Sequence, residues 1–260
     1  MLRPRIIPCL LVHKGGLVKT RKFGEPKYVG DPINAVRTFN EKEVDELIVL
    51  DIDATRHGSE PNYDLIAKLA AECRMPLCYG GGVNLVGQIE KIVGLGVEKV
   101  AISAAALTDP DLISSGAARV GSQSIVVVID VLKARIAGGC EVVTHNSTKR
   151  SGQTAVAFAQ AMEARGAGEI VINSVDRDGE MIGYDLDLVA QVREAVTLPL
   201  TVLGGAGSHS DIEKLIAQQG IVGAAAGSLF VFKGKYRAVL INYPNRLEKD
   251  GILTRAGIVA

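Results

Sequence analysis

The chain has 260 residues, of which 47% are hydrophobic and 4% aromatic, and Trp is absent. Its 29 Lys and Arg balance 29 Asp and Glu, so no basic surplus speaks for a nucleic-acid partner. No apolar run approaches the ~18 residues that span a membrane, and Met1-Leu2-Arg3-Pro4-Arg5 shows no apolar signal core, so a cytoplasmic protein is expected.

In chain order, short Val, Ile and Leu runs alternate with helical patterns. The first strand is expected over Arg5 to Val12, followed by a loop, His13 to Gly30, too polar and Gly-rich for a core element. Asp31-Pro32 starts a helix, with Asp as cap and Pro in the first turn. Strand two is Glu46 to Ile52, with its helix from about Tyr63, and strand three is Leu77 to Tyr79, running into Gly80-Gly81-Gly82. The next helix presents Val86, Ile89, Ile92 and Val93 on one face; strand four is Lys99 to Ile102, after which Asp109-Pro110 caps a helix. Strand five, Ser124 to Val131, is followed by an insertion from Leu132 to Gly152 and a helix from about Thr154. Strands six, seven and eight are Glu169 to Ser174, Pro199 to Leu203 and Gly223 to Ala226, and a last helix is expected from about Tyr236 to Asn242.

Half of this pattern is written twice. Glu46, Pro76, Gly82 and Glu90 recur 123 positions later as Glu169, Pro199, Gly205 and Glu213. That period is too long for a solenoid, whose repeats run about 20 to 50 residues. Four β/α units per copy make an α/β protein with a single (β/α)8 TIM barrel over 1–260, built from two duplicated half-barrels at about 1–120 and 121–245.

In such a barrel the loops after the strands build the site. Gly81-Gly82 with Ser103, and Gly204-Gly205 with Gly227-Ser228, are candidate anion cradles at matched positions, suiting a ligand with a phosphate at each end. The competing reading is that these glycines serve only tight turns. Asp130, delivered to the rim by Val-Val-Val-Ile, is a candidate general acid or base. Asp51, Asp53, Asp176 and Asp178 end strands two and six, where some cap loops or pair with Arg56 and Arg177. Lys19 is either a lysine that closes over bound phosphate or a solvated loop residue. At the opposite end, Arg5, Glu46, Lys99 and Glu169 ring the floor with alternating sign, either as a stabilising ring or as a gate for a small polar molecule. The four cysteines, Cys9, Cys73, Cys78 and Cys140, lack CxxC spacing and are expected as reduced thiols; the scattered histidines suggest no metal, and no cofactor is expected.

Arg5-Ile6-Ile7-Pro8-Cys9-Leu10, Val18-Lys19, Gly30-Asp31-Pro32, Gly80-Gly81-Gly82, Asp176-Arg177-Asp178-Gly179 and Gly204-Gly205-Ala206-Gly207 together resemble the cyclase (HisF-type) subunit of imidazole glycerol phosphate synthase, end to end. The resemblance implies a barrel that docks a HisH-type glutaminase on its floor and receives ammonia through its interior. It implies Arg5, Glu46, Lys99 and Glu169 as gate residues and Lys19, Gly82, Ser103, Asp178, Gly179, Gly205, Gly227 and Ser228 as phosphate and ligand positions. Asp130 matches one of two catalytic aspartates, whereas Leu11 stands where the other belongs. Ala101, Ala104 and Leu203 likewise stand where that family tends to carry polar residues. Leucine cannot transfer a proton, and losing a general acid or base removes about 10²- to 10⁴-fold in rate.

An intact floor with an altered mouth resembles second-copy paralogues of this family associated with surface-polysaccharide genes, as does the ending Gly227-Ser228-Leu229-Phe230-Val231-Phe232-Lys233-Gly234-Lys235-Tyr236. That resemblance implies ammonia supply for an acetamidino sugar, with an ATP-using sugar amidotransferase as third partner. The alternatives are a true cyclase/lyase using Asp130 with Asp51 or Asp178, and a phosphate-ligand receptor without ammonia chemistry, which the charged floor disfavours.

Overall fold

The computed structural model describes residues 3–24, 26–133 and 139–258, so part of the second insertion lies outside the described residues. Eight strands form the barrel: β1 (Arg5–His13), β2 (Leu47–Asp51), β3 (Leu77–Gly80), β4 (Lys99–Ile102), β5 (Ile125–Lys133), β6 (Glu169–Ser174), β7 (Leu200–Leu203) and β8 (Gly223–Ala226). Each pairs in parallel with its sequence neighbours, and β8 returns to β1 with Arg5 opposite Gly223. This is the expected (β/α)8 barrel.

The strands read as nearly unbroken apolar runs because both faces are buried. Outward-facing Ile6, Leu10, Val49, Tyr79, Val127 and Ile172 join the main core under the helices. Alternate residues Ile7, Cys9, Ile48, Cys78, Ala101, Val126, Val128, Val171, Leu203 and Ala225 fill the barrel interior, with Leu11 and Leu50 packed against them. The helix layer comprises α1 (Pro32–Glu41), α2 (Tyr63–Glu72), α3 (Val86–Gly94), α4 (Asp111–Val120), α5 (Ala155–Ala164), α6 (Leu186–Ala195), α7 (His209–Gln219) and α8 (Arg246–Arg255). Asp31 caps α1 by accepting from Asn34 N. Asn62 and Asp185, a duplicated pair, cap α2 and α6 in the same way.

Several expectations are corrected. The loop after β1 contains a strand pair, Gly16–Lys19 with Lys27–Gly30, and Gly16–Lys19 folds back antiparallel onto β1. Its two-residue turn, Lys14 and Gly15, has both φ positive, at 49° and 76°, the hairpin geometry that matches strand twist. The insertion after β5 contains a second hairpin, Cys140–Thr144 with Lys149–Thr154. The last helix begins after Pro244 at the Asn245 cap, and the stretch expected as helical instead holds a small hairpin, Phe232–Lys233 with Ala238–Val239. Pro244 precedes that helix and so cannot interrupt it. Before α4, Asp109 offers its backbone carbonyl to Leu112 N, and no side chain caps the helix. Short helices at Ala54–His57, Ala104–Thr108 and Ser228–Val231 follow β2, β4 and β8. Among the described residues no helix is long and apolar enough to cross a membrane.

Candidate functional site

The four floor charges converge as an ion-pair quartet. Arg5 pairs with Glu46 and, at 2.7 Å, with Glu169; Lys99 Nζ lies 2.9 Å from Glu46 Oε1 and 2.8 Å from Glu169 Oε2. Both carboxylates are buried, and Thr201 Oγ1 donates to Glu169 Oε1 at 2.6 Å. Thr201 was not singled out in the sequence, although it begins the inward face of β7. Burial pushes the Glu169 carboxyl up, but Arg5 and Lys99 outweigh it and hold the group below its ordinary value. Two positive and two negative groups thus close the floor with no net charge, beneath an interior lined by Ile7, Ile48, Val126 and Val171.

At the opposite end lies a cleft with about 280 Å³ of room. Lys19, Gly82, Ser103, Asp130, Asp178, Gly179, Gly205, Gly227 and Ser228 all line it. The two glycine pairs adopt similar backbones, with φ of 132° and 72° at Gly81 and Gly82 and of 93° and 109° at Gly204 and Gly205. Close packing also requires them: a Cβ on Gly82 would stand 2.5 Å from Ser59 O, and one on Gly205 would strike Gly183 O. Ser103 precedes the short helix Ala104–Thr108, and Ser228 opens Ser228–Val231 directly after Gly227.

Lys19 is folded inward, only 7% exposed, which excludes the solvated-loop reading. Its Nζ donates to Cys9 O at 2.6 Å, and Gly227 packs so closely against it that no Cβ would fit there without Lys19 moving. Burial lowers its affinity for a proton, partly offset by Cys9 and Asp178. Asp178 accepts from Thr20 Oγ1 at 2.7 Å and Phe23 N at 3.3 Å, tying the first loop to the end of β6. Gly179, at φ 68°, is where that loop comes closest, since a Cβ would meet Thr20 O.

Of the two alternatives expected for the remaining acids, loop capping is the one seen among the described residues, and none of them pairs with Arg56 or Arg177. Arg177 lies 3.6 Å from Asp185 and donates to Gly183 O, while Asp176 accepts from Lys133 N. Asp51 accepts from the backbone of Asp53 and Ala54, and Asp53 pairs with His13 at 2.7 Å. The hairpin after β5 crosses the mouth, where Asn146 Nδ2 reaches Ile52 O at 3.3 Å.

Asp130 faces Asn173 across the β5–β6 pairing, and Asn173 Nδ2 donates to Asp130 Oδ1 at 2.8 Å. Burial pushes the Asp130 carboxyl up to about 6; the Asn173 hydrogen bond opposes this and Asp178 reinforces it. The same rung of β1–β2 pairs Leu11 with Leu50. Asn173 went unnoticed in the sequence because Asn in Ile-Asn-Ser looks like an ordinary strand end; only the strand register reveals its partner.

Residues 5–237 match the family described as Histidine biosynthesis protein. A protein of Vibrio vulnificus, provisionally named imidazole glycerol phosphate synthase subunit hisF3, is 57% identical across 97% of each chain. The Pseudomonas aeruginosa protein provisionally named subunit hisF2 is 55% identical, covering 94% of this chain and 97% of its own. Imidazole glycerol phosphate synthase subunit HisF of Hyphomonas neptunium is 42% identical over 89% of this chain and 91% of its own. By family match, relatives and fold together, the chain belongs to the histidine biosynthesis protein family as a HisF-type barrel.

Proposed function

We propose that this chain is the barrel subunit of a cytoplasmic glutamine amidotransferase assembly, receiving ammonia at its floor from a HisH-type glutaminase. In this reading the ammonia leaves at the mouth for the amidination of a sugar in lipopolysaccharide or O-antigen biosynthesis. An ATP-using sugar amidotransferase performs the final bond formation. The observation that carries the specialised part is Leu11 in the rung equivalent to Asp130. Ring closure needs a proton acceptor and a proton donor on the substrate, and a mouth with one of two expected carboxylates lacks half of that pair.

The floor supports the conduit part. A neutral quartet of two cations and two carboxylates bars bulk ions yet offers hydrogen bonds to a small polar molecule, and the apolar interior above it suits neutral ammonia better than ammonium.

A second reading, an imidazole glycerol phosphate synthase cyclase/lyase of histidine biosynthesis, is favoured by the two matched glycine turns and by Asp130 poised near neutrality. There a bis-phosphate ligand would span the mouth, held at Lys19, Gly82, Ser103, Asp178, Gly179, Gly205, Gly227 and Ser228.

Reconstitution tests the first reading. Purified chain, glutaminase and sugar amidotransferase are mixed with glutamine, ATP and the sugar acceptor. Amidino-sugar formation from glutamine should require the chain, whereas formation from ammonium salt should not. Equal product from glutamine without the chain would sink the proposal.

A further inference from the structure

In a (β/α)8 barrel each strand is followed by its helix. Here residues 232–245 intervene between Ser228–Val231 and α8, and they include the hairpin of Phe232–Lys233 with Ala238–Val239. From Gly227 to Asn245 the chain carries Lys233, Lys235 and Arg237 and no carboxylate side chain. Lys233, Lys235 and Tyr236 are exposed, Tyr236 at 88%, and Val239 and Leu240 that follow are exposed as well. None of these side chains belongs to the core or lines the mouth cleft.

The hairpin stands at the rim of the mouth. Arg237 Nη2 donates to Gly179 O at 3.2 Å, and Gly179 lines the cleft. Lys27 Nζ, from the hairpin after β1, lies 5.1 Å from the centroid of the Phe232 ring. A hollow between the two hairpins is lined by Lys19, Thr20, Arg21, Lys27, Phe232 and Arg237, so Lys19 and Thr20 form a wall that it shares with the cleft. Arg21 is matched by Glu180 at 2.9 Å. Among the described residues no carboxylate lies within ion-pair distance of Lys27, Lys233, Lys235 or Arg237. A chain of zero formal net charge thus gathers four unmatched cations and three exposed apolar side chains on one side of its mouth.

We propose that this hairpin is the docking element for the enzyme that consumes the nitrogen, and that it engages an acidic surface of that enzyme. The partner's identity rests on the conduit reading. Position favours a consumer: Arg237 and the hollow abut Gly179, Lys19 and Thr20, so whatever seats on the hairpin also covers the cleft on that side. A small neutral molecule released at an open rim is lost to water, whereas a docked acceptor takes it up first. Composition favours a protein, because Tyr and Arg are enriched in protein interfaces and complementary charge sets partner choice and encounter rate. A bilayer is served less well: stable anchoring takes two signals, and the hairpin supplies one short basic cluster.

The purified full chain is titrated with the ATP-using sugar amidotransferase by calorimetry at low and high sodium chloride. Binding that weakens as salt rises is expected. The triple variant Lys233→Glu, Lys235→Glu, Tyr236→Ala changes only exposed side chains, should fold, and should bind at least tenfold more weakly. A control of equal charge change, Lys68→Glu with Lys214→Glu at exposed positions of α2 and α7, should bind as the native chain does. In reconstituted assays the hairpin variant should lose at least tenfold in amidination from glutamine. Its stimulation of the glutaminase, and the amidotransferase's own reaction with ammonium salt, should stay unchanged. Native-strength binding by the hairpin variant, or equal weakening in the control, would overturn the docking element. Binding of the native chain to phosphatidylglycerol vesicles and not to the amidotransferase would replace it with a membrane contact. Amidination from glutamine that needs the chain but not the hairpin overturns the docking element and leaves the conduit standing. Hairpin-dependent binding, with amidination from glutamine that proceeds equally without the chain, supports the docking element and removes the conduit.

Discussion

Leu11 and Asp130 occupy equivalent rungs of the two half-barrels: Leu11 faces Leu50 across β1–β2 as Asp130 faces Asn173 across β5–β6. At this rung the duplication therefore left one half-barrel apolar and the other polar. A carboxyl–amide pair confronts two leucines over a cleft whose glycine turns still match.

The polar rung has a thermodynamic signature. Asp130 is raised to about 6 in the fold, against ~3.9 for an unfolded aspartate, so between these values the native state binds more protons. Stability then falls as pH rises through that window, by on the order of 2 kcal/mol once cleft solvent is allowed for. Asp130→Asn should be more stable than the native chain at pH 7.5 and indistinguishable near pH 4. Denaturant unfolding at both pH values checks this.

At the floor, replacing Lys99 with Met leaves Glu46 and Glu169 facing Arg5 alone. Removing one partner of a buried ion-pair cluster costs about 3–5 kcal/mol. Glu169 is held below its ordinary value, so its stabilising contribution is present above the unfolded carboxylate value of ~4.3 and is lost as pH falls through the lower folded value. The gap in stability between native chain and Lys99→Met should therefore be large at pH 7 and shrink below about pH 4. A gap independent of pH would show that lost packing, and not uncompensated charge, is responsible.

Gly227→Ala tests how Lys19 is held. The added methyl group occupies the space of Lys19 Nζ, which must give up its bond to Cys9 O. A loss of about 1 to 3 kcal/mol is expected. Lys19 should also pass from protected to reactive in acylation mapped by mass spectrometry.

Asp178→Ala removes the acceptor for Thr20 Oγ1 and Phe23 N while leaving the backbone bond from Lys22 N to Asp178 O. The first loop should open more readily, by about 1 to 3 kcal/mol locally, with the barrel little changed. Limited proteolysis should cut within residues 20–28 faster, while the global unfolding midpoint moves by only a few degrees.

The barrel was legible because its signals are local and repeated: apolar runs, helix caps, and a duplicated Glu46/Glu169, Gly82/Gly205 framework. The floor quartet was legible for the same reason, since strand starts are easy to locate. What escaped depends on chain folding back on itself. Leu17 and Val18 sit in a Gly-rich stretch and look like loop residues until β1 supplies a pairing edge. Lys19 appears mobile until Cys9 O and Gly227 enclose it. Asn173 has no neighbour in sequence that marks it, because its partner lies 43 residues away across the barrel wall.

The central claim is that Leu11 has disabled ring closure at this mouth while the floor and interior still serve ammonia transfer. Turnover of the phosphoribulosyl formimino cyclase substrate is measured with excess ammonium salt in place of glutaminase, for the purified chain and for Leu11→Asp. The account predicts no turnover by the native chain and clear turnover by the variant, in line with the 10²- to 10⁴-fold worth of a general acid or base. Efficient turnover by the native chain would contradict it, showing that Asp130 suffices and that the chain works as a cyclase.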